Sequence, residues 1–495
     1  MPIMDEPTSL DPQIADSNSE KLVAANCYEG LVRIMADGTI GKGVATDWNI
    51  SDDGLTYTFK LRNNSHWAMF SGHKAVLGEN YEDTFDITVK AEDFKFGIER
   101  TLSEQTGSAD APLFSAVKSI STPDDYTIVF NLSNADDNFL YALTNPGAMP
   151  CDEEFFNLTN GKYGLDAKYL LCNGPFHVSK WTEKTSVKLV KNNEYNGESS
   201  VSPSSVTFYI NNNDSEVADK MNSVTYDVAF LSSSQFSSIE NKKDLNSVAV
   251  QNVTYSFIFN QNDNNYRNKN MRLAFCRSCD TSSLFDSQSD ISKADGIVPP
   301  SCKIGGEDYR NGNAAELLSY DETLAKKNFN DALLELGSSS VETTILCTEQ
   351  YESFVKQMVQ KLQKTLGVKF VSTVKVVSES DLEAAVNDGN YSVAFYPFKA
   401  KSSFAGEIIE GFDQNNIFGY ESDVLSQKIR NIKNNSGSLE GERSAVADAE
   451  NYLVSEAVIM PVFYENSYFV TSKKTSGIYF YSSADNVCFI NAKKS

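Results

Sequence analysis

Chemistry requires groups that titrate, ligate or attack, and this chain is poor in them. It has three histidines, His66, His73 and His177. That leaves little for metal ligation or general-base work. It has eight cysteines: Cys27, Cys151, Cys172, Cys276, Cys279, Cys302, Cys347 and Cys488. Cys276 and Cys279 form a C-x-x-C, the spacing of a redox pair or half a zinc site. The competing reading is two cysteines packed from one helix. The second is favoured, because there is no other C-x-x-C and no histidine lies near it in sequence. The spacing of Cys151 and Cys172 allows a disulfide. His66 and His73 flank Trp67 and Phe70 and read as part of a hydrophobic cap, while His177 follows Phe176 on an expected strand. Glu153/Glu154 and Asp136/Asp137 are the residue type of an acid–base pair, but pairs arise by chance in so acidic a chain. There is no G-x-S-x-G, H-E-x-x-H, P-loop or G-x-G-x-x-G. The expectation is a protein that is not an enzyme and carries no metal or cofactor.

The composition agrees with a binding role. At 495 residues the length suggests about three domains or large lobes. Thirty Phe and 23 Tyr supply ample aromatic surface to bury, which rules out a wholly disordered chain. A net charge of −24 argues against nucleic acid, whose backbone needs a basic face. No window approaches the roughly 18 consecutive apolar residues of a membrane span. Met1 is followed by Pro2 and a polar stretch, without the basic and apolar regions of a signal peptide. The chain is therefore either cytosolic or stands downstream of a removed leader.

The elements that must position any site alternate in type. A helical pattern covers Leu22, Val23, Cys27, Leu31 and Val32, and Ala36-Asp37-Gly38 is a hairpin signal. Residues 44–61 read as two strands around Ser51-Asp52-Asp53-Gly54. A helix is expected over 91–103, and strands over 126–132, 176–181 and 186–191. Helices at 321–336 and 351–366 are each followed by a strand, 341–346 and 368–377, with another at 391–396. That alternation favours an α/β lobe with a partly parallel sheet. A last helix over 444–456 leads to an aromatic-rich strand, Val458 to Tyr464.

Several ordered segments then carry a resemblance. Glu6-Pro7-Thr8-Ser9-Leu10-Asp11-Pro12 is similar to the E-P-x-S-L-D-P opening of the extracellular solute-binding proteins of family 5. These are the oligopeptide-, dipeptide- and nickel-binding receptors of ABC importers. Tyr28-Glu29-Gly30-Leu31-Val32, the stretch 48–62, and Val89-Lys90-Ala91-Glu92-Asp93-Phe94 with Arg100 resemble later family segments. So do Asn173-Gly174-Pro175-Phe176 with Trp181, the stretch 272–280, and Met460-Pro461-Val462-Phe463-Tyr464.

The resemblance implies an α/β, two-lobed type II periplasmic-binding-protein fold with an extra subdomain in the first lobe. Lobe I would comprise 1–47, 166–260 and 459–495, with the subdomain at 48–165 and lobe II at 261–458. It implies that Cys276 and Cys279 fill apolar slots on one helix. It places ligand between lobes, buried by hinge closure. Expected ligand-binding residues are Met4, Ser9, Asn173, Gly174, Asn260, Tyr396, Phe398, Lys399 and Tyr464. The implied partners are a small solute, above all an oligopeptide, and an ABC permease in the membrane. The chain would be a monomer, a lipoprotein on the outer face of the cell membrane.

One stretch departs from the pattern. In peptide-binding members an aspartate after the strand at 391–396 pairs with the peptide ammonium. Here Tyr396-Pro397-Phe398-Lys399-Ala400-Lys401-Ser402-Ser403-Phe404 has no acid and two lysines. Glu407 or Asp413 is the alternative acid. Lys399 and Lys401 are either solvated loop charges or an anion contact. A non-peptide solute (a metal chelate, a sugar or an opine-like molecule) is the competing ligand.

Overall fold

The computed structural model describes all residues except 36–38, 137–138, 198–199, 282–283, 286–289, 400–403, 414–415, 436–437 and 481–486. The chain divides into two compact units, Met1–Val248 with Tyr468–Ser495, and Ala249–Ser467. The segment 48–165 lies wholly in the first unit. The second unit takes in the strands Val253–Phe259 and Ile459–Glu465.

The first unit is built largely from hairpins. One four-stranded sheet runs Ala45–Ile50, Thr56–Leu61, Thr127–Leu132, Val117–Asp124, all antiparallel. Its first turn forms where expected. Gly54 adopts φ +69°, and Asp53 Oδ1 accepts from Leu55 N at 3.0 Å, closing the turn on its own side chain. A second four-stranded sheet runs Pro2–Ile3, Ser205–Ile210, Ser186–Lys191, Phe176–Thr182, its first pair parallel. The strands Val32–Ile34 and Ile40–Lys42 pair as a hairpin, whose turn at Ala36-Asp37-Gly38 lies outside the described residues. Helix Asn18–Cys27 starts on a capping box between Ser17 and Glu20. It buries Leu22, Val23 and Cys27.

The second unit holds a six-stranded sheet in the order Ile291–Lys293, Ile459–Glu465, Val253–Phe259, Val393–Lys399, Val341–Thr348, Phe370–Val377. The last three are mutually parallel, as helix–strand alternation requires. The connecting helices are Glu322–Leu336, begun by the Asp321 cap and ended by Gly337 at φ +64°, and Glu352–Leu366. One face of the sheet buries Phe257, Phe259, Phe275, Phe354, Phe395 and Phe463 against these helices. The other buries Ile258, Val298, Phe398, Ile409 and Leu453. Cys276 lies in helix Lys269–Ser278 and Cys279 is its C-terminal cap residue. Both are buried, and burial pushes both thiols up to about 12, which opposes thiolate chemistry. No helix among the described residues is long and apolar enough to cross a membrane.

Candidate functional site

The expected ligand residues fall into two groups, one in each unit. In the first unit the turn at Asn173-Gly174 is occupied by its own surroundings. The buried Asn173 side chain accepts from Glu29 N at 3.0 Å and donates to Glu29 O at 2.8 Å, a two-point clasp on one backbone residue. Gly174 N donates to Cys27 O at 2.9 Å, and Asn192 Nδ2 donates to Gly174 O at 2.9 Å. A Cβ on Gly174 would lie 2.6 Å from Tyr28 N, so only glycine allows this approach. The clasped Glu29 holds Arg62 through its carboxylate and accepts from Tyr195 OH at 3.1 Å.

Ser9 is also buried. Its N–H donates to Glu20 Oε1 at 3.3 Å and its Oγ accepts from Asp11 N at 3.1 Å. Asp11 in turn pairs with Arg100, whose guanidinium also reaches Gln13 Oε1 at 2.6 Å and lies over the Phe156 ring. Thus the conspicuous opening motif and the later arginine form one internal ion pair. Met4, just past the parallel strand Pro2–Ile3, is 50% exposed.

In the second unit the sheet register separates residues that the sequence had grouped. Phe398, Thr254 and Tyr464 lie in one row across three strands. Asn260 follows the far end of Val253–Phe259, on the order of 20 Å along the strand. Its amide is fully used, donating to Gly389 O at 2.8 Å and Tyr391 O at 2.7 Å while Oδ1 accepts from Asn262 N. Tyr464 accepts from Asp295 N at 3.0 Å, and burial pushes its hydroxyl up to about 12. Phe398 stacks on Phe412 and packs against the tilted Phe418 ring in the core. Tyr396 is half-buried and Lys399 is exposed at the strand end. Lys401 lies outside the described residues.

The edge that carries Lys399 is the one where parallel strands end, at Thr348, Val377 and Lys399. Ligands of open α/β sheets favour such carboxyl edges. Glu465 ends Ile459–Glu465, the next strand but one, at the same edge, and accepts from Tyr351 OH at 2.6 Å and Gln350 Nε2 at 3.3 Å. The Tyr255 ring lies 4.4 Å from that of Tyr351. Burial, with Glu465 second, holds both phenols above the usual range. Sequence reading missed this group, since its members come from three distant segments; only the aromatic richness pointed toward it. Elsewhere in the unit a cavity of about 220 Å³ is lined by Cys276, Cys279, Leu317, Met460 and Pro461. Among the described residues no cluster of three or more His, Cys, Asp or Glu could hold a metal ion.

The family model of bacterial extracellular solute-binding proteins, family 5 (middle region), matches residues 39–418. The dipeptide-binding protein DppE of Bacillus subtilis (strain 168) is 24% identical over 496 residues, covering 96% of this chain and 88% of that protein. A dipeptide-binding protein from Pseudoalteromonas sp. SM9913, solved with Met-Leu, superposes with a TM-score of 0.79 at 18% identity, covering 100% of this chain and 99% of that one. AgaA from A. tumefaciens R10, solved with agropinic acid, gives 0.75 at 17%, covering 99% and 97%. The fold is thus the type II periplasmic-binding-protein fold that the resemblance implied. The chain belongs to the family 5 bacterial extracellular solute-binding proteins.

Proposed function

We propose that this chain is the extracytoplasmic solute receptor of an ABC importer, binding short peptides reversibly, without turnover, and delivering them to the permease. The observation that carries this reading is the family match over 39–418, joined by an alignment to a dipeptide-binding relative along nearly the whole chain. It acts as a monomer, held as a lipoprotein at the outer face of the membrane. Of the expected ligand residues, Met4, Tyr396 and Lys399 keep side-chain surface for a solute. Ser9, Asn173, Gly174, Asn260, Phe398 and Tyr464 act mainly by shaping the backbone around it. Native mass spectrometry of the purified protein, followed by denaturing extraction, tests the reading. A ladder of masses that fragment as short peptides is expected. A single non-peptide mass, or an empty protein that no peptide pool stabilises, refutes it.

One observation favours a second reading. The strand end Tyr396-Pro397-Phe398-Lys399 bears a lysine and no carboxylate. An anionic solute would suit it, and the agropinic-acid-bound relative shares the fold. On that reading Lys399→Ala weakens an anionic ligand about tenfold, the scale of one charge-assisted contact. An unchanged affinity for that ligand rules it out.

A further inference from the structure

Cys27 ends the helix Asn18–Cys27, and Cys172 precedes the strand Phe176–Thr182. The two are remote in sequence, but the fold brings the chain just past Cys172 against Cys27. Gly174 N donates to Cys27 O at 2.9 Å, and the Asn173 amide clasps Glu29 on both sides. Cys172 is the side chain that, after burial, acts on the Cys27 thiol. Their residues are 0% and 1% exposed. All eight cysteines are free thiols in this structure. Two of the others face other groups: Cys151 Sγ accepts from Arg100 at 3.6 Å, and Cys279 Sγ faces Met358 O at 3.7 Å. Cys151 is thus committed to Arg100, not to the pairing with Cys172 that sequence spacing allows.

We propose that Cys27 and Cys172 are joined by a disulfide in the protein as it functions outside the cell. The family is extracellular, and disulfides persist in oxidising compartments. The oxidant is a disulfide, either of an extracytoplasmic thiol oxidoreductase or of a low-molecular-weight thiol. One cysteine, as thiolate, attacks that disulfide and releases one oxidant thiol. The other cysteine, as thiolate, attacks the mixed disulfide and releases the second. Two S–H bonds and the oxidant S–S bond are lost. One protein S–S bond and two oxidant S–H bonds form, so protons and electrons balance.

The burial decides when this happens. A folded first unit gives an oxidant no access to either sulfur, and desolvation holds the Cys27 thiol well above its ordinary pKa. Oxidation therefore precedes complete closure of the unit, and the finished bond is shielded from reductant. The bond is structural and does not act as a switch. It closes a loop that contains the whole antiparallel sheet from Ala45 to Leu132, so it removes much freedom from the unfolded chain.

The test uses the full chain exported to an oxidising compartment, denatured without reductant and alkylated with iodoacetamide. The expected result is alkylation of every cysteine except Cys27 and Cys172, an intact mass two hydrogen atoms below the all-thiol value, and a linked peptide pair joining those two. After reduction all eight are alkylated. The variant Cys27→Ala/Cys172→Ala melts on the order of 10 °C lower and no longer responds to reductant. Alkylation of all eight without reductant, or a linkage between other cysteines, overturns the proposal. The mapping on the unmutated chain decides even if the variant does not fold.

Discussion

Asn173→Ala distinguishes a clasp from a ligand contact. The native side chain satisfies Glu29 N and Glu29 O at 3.0 and 2.8 Å. Asn173 and Glu29 are 1% and 6% exposed, so water cannot readily replace the amide. A buried backbone group left without a partner costs about 1–3 kcal/mol. Two such groups give a loss of about 2–6 kcal/mol. Part of it arises because Glu29 then positions Arg62 and Tyr195 less firmly. The assay is urea unfolding followed by tryptophan fluorescence. All three tryptophans, Trp48, Trp67 and Trp181, lie in the first unit, so the signal reports the unit that carries the change. Asn173→Asp is the control. It keeps the acceptor for Glu29 N, loses the donor and adds a charge, so it is also destabilising. Ligand affinity measured well below the melting temperature should change by less than about threefold, under 1 kcal/mol. If Asn173→Ala leaves unfolding within about 0.5 kcal/mol of the parent while affinity falls tenfold, the clasp is not what the residue is for.

Three further outcomes follow from buried groups. Glu450 is 1% exposed and holds Arg310 while accepting from Tyr309 OH and Val298 N at 3.0 Å each. Glu450→Gln leaves a buried guanidinium without its counter-charge and should cost about 3–5 kcal/mol. The shift should appear in far-UV circular dichroism of urea unfolding and not in tryptophan fluorescence, since the second unit has no tryptophan. Burial depresses His73 from 6.5 to about 4, and its ring is bonded to Leu170 O at 3.1 Å. The unfolded chain binds that proton first, so stability is full above pH 6.5. It falls as pH drops toward 4, by about 3 kcal/mol in all. Urea unfolding at pH 7 and pH 4.5 should show this difference, and His73→Phe should reduce it. Gly174→Ala drives a Cβ to 2.7 Å from the carbonyl carbon of Cys27, where only backbone could yield. A loss on the order of 3 kcal/mol, or failure of the first unit to fold, is expected by the same fluorescence assay.

The chain itself determined its elements wherever local physics suffices. Alternating apolar residues around Ser51-Asp52-Asp53-Gly54 specify a hairpin, and that hairpin forms. The Asp321 cap, the apolar face of the helix and Gly337 mark helix Glu322–Leu336 almost to the residue. The helices Asp214–Asn222 and Asp423–Asn434 were not read from the sequence, although the second buries a helically spaced stripe of Leu425, Ile429 and Ile432. The C-x-x-C is buried at the end of helix Lys269–Ser278, with Cys276 inside the helix and Cys279 as its cap.

What only tertiary structure decided is which residues meet. The Glu-Pro-Thr-Ser-Leu-Asp-Pro opening is recognisable in sequence, but that its Asp11 is an internal partner of Arg100 is not. Asn173 and Asn260 have the chemistry of ligand contacts, but an amide can equally clasp backbone, and here both do. Tyr255, Tyr351 and Glu465 gather at one sheet edge because strand order brings together segments that sequence keeps apart. A side chain's type is set by sequence, whereas whether its polar atoms remain for a solute depends on neighbours that only the register of distant strands supplies.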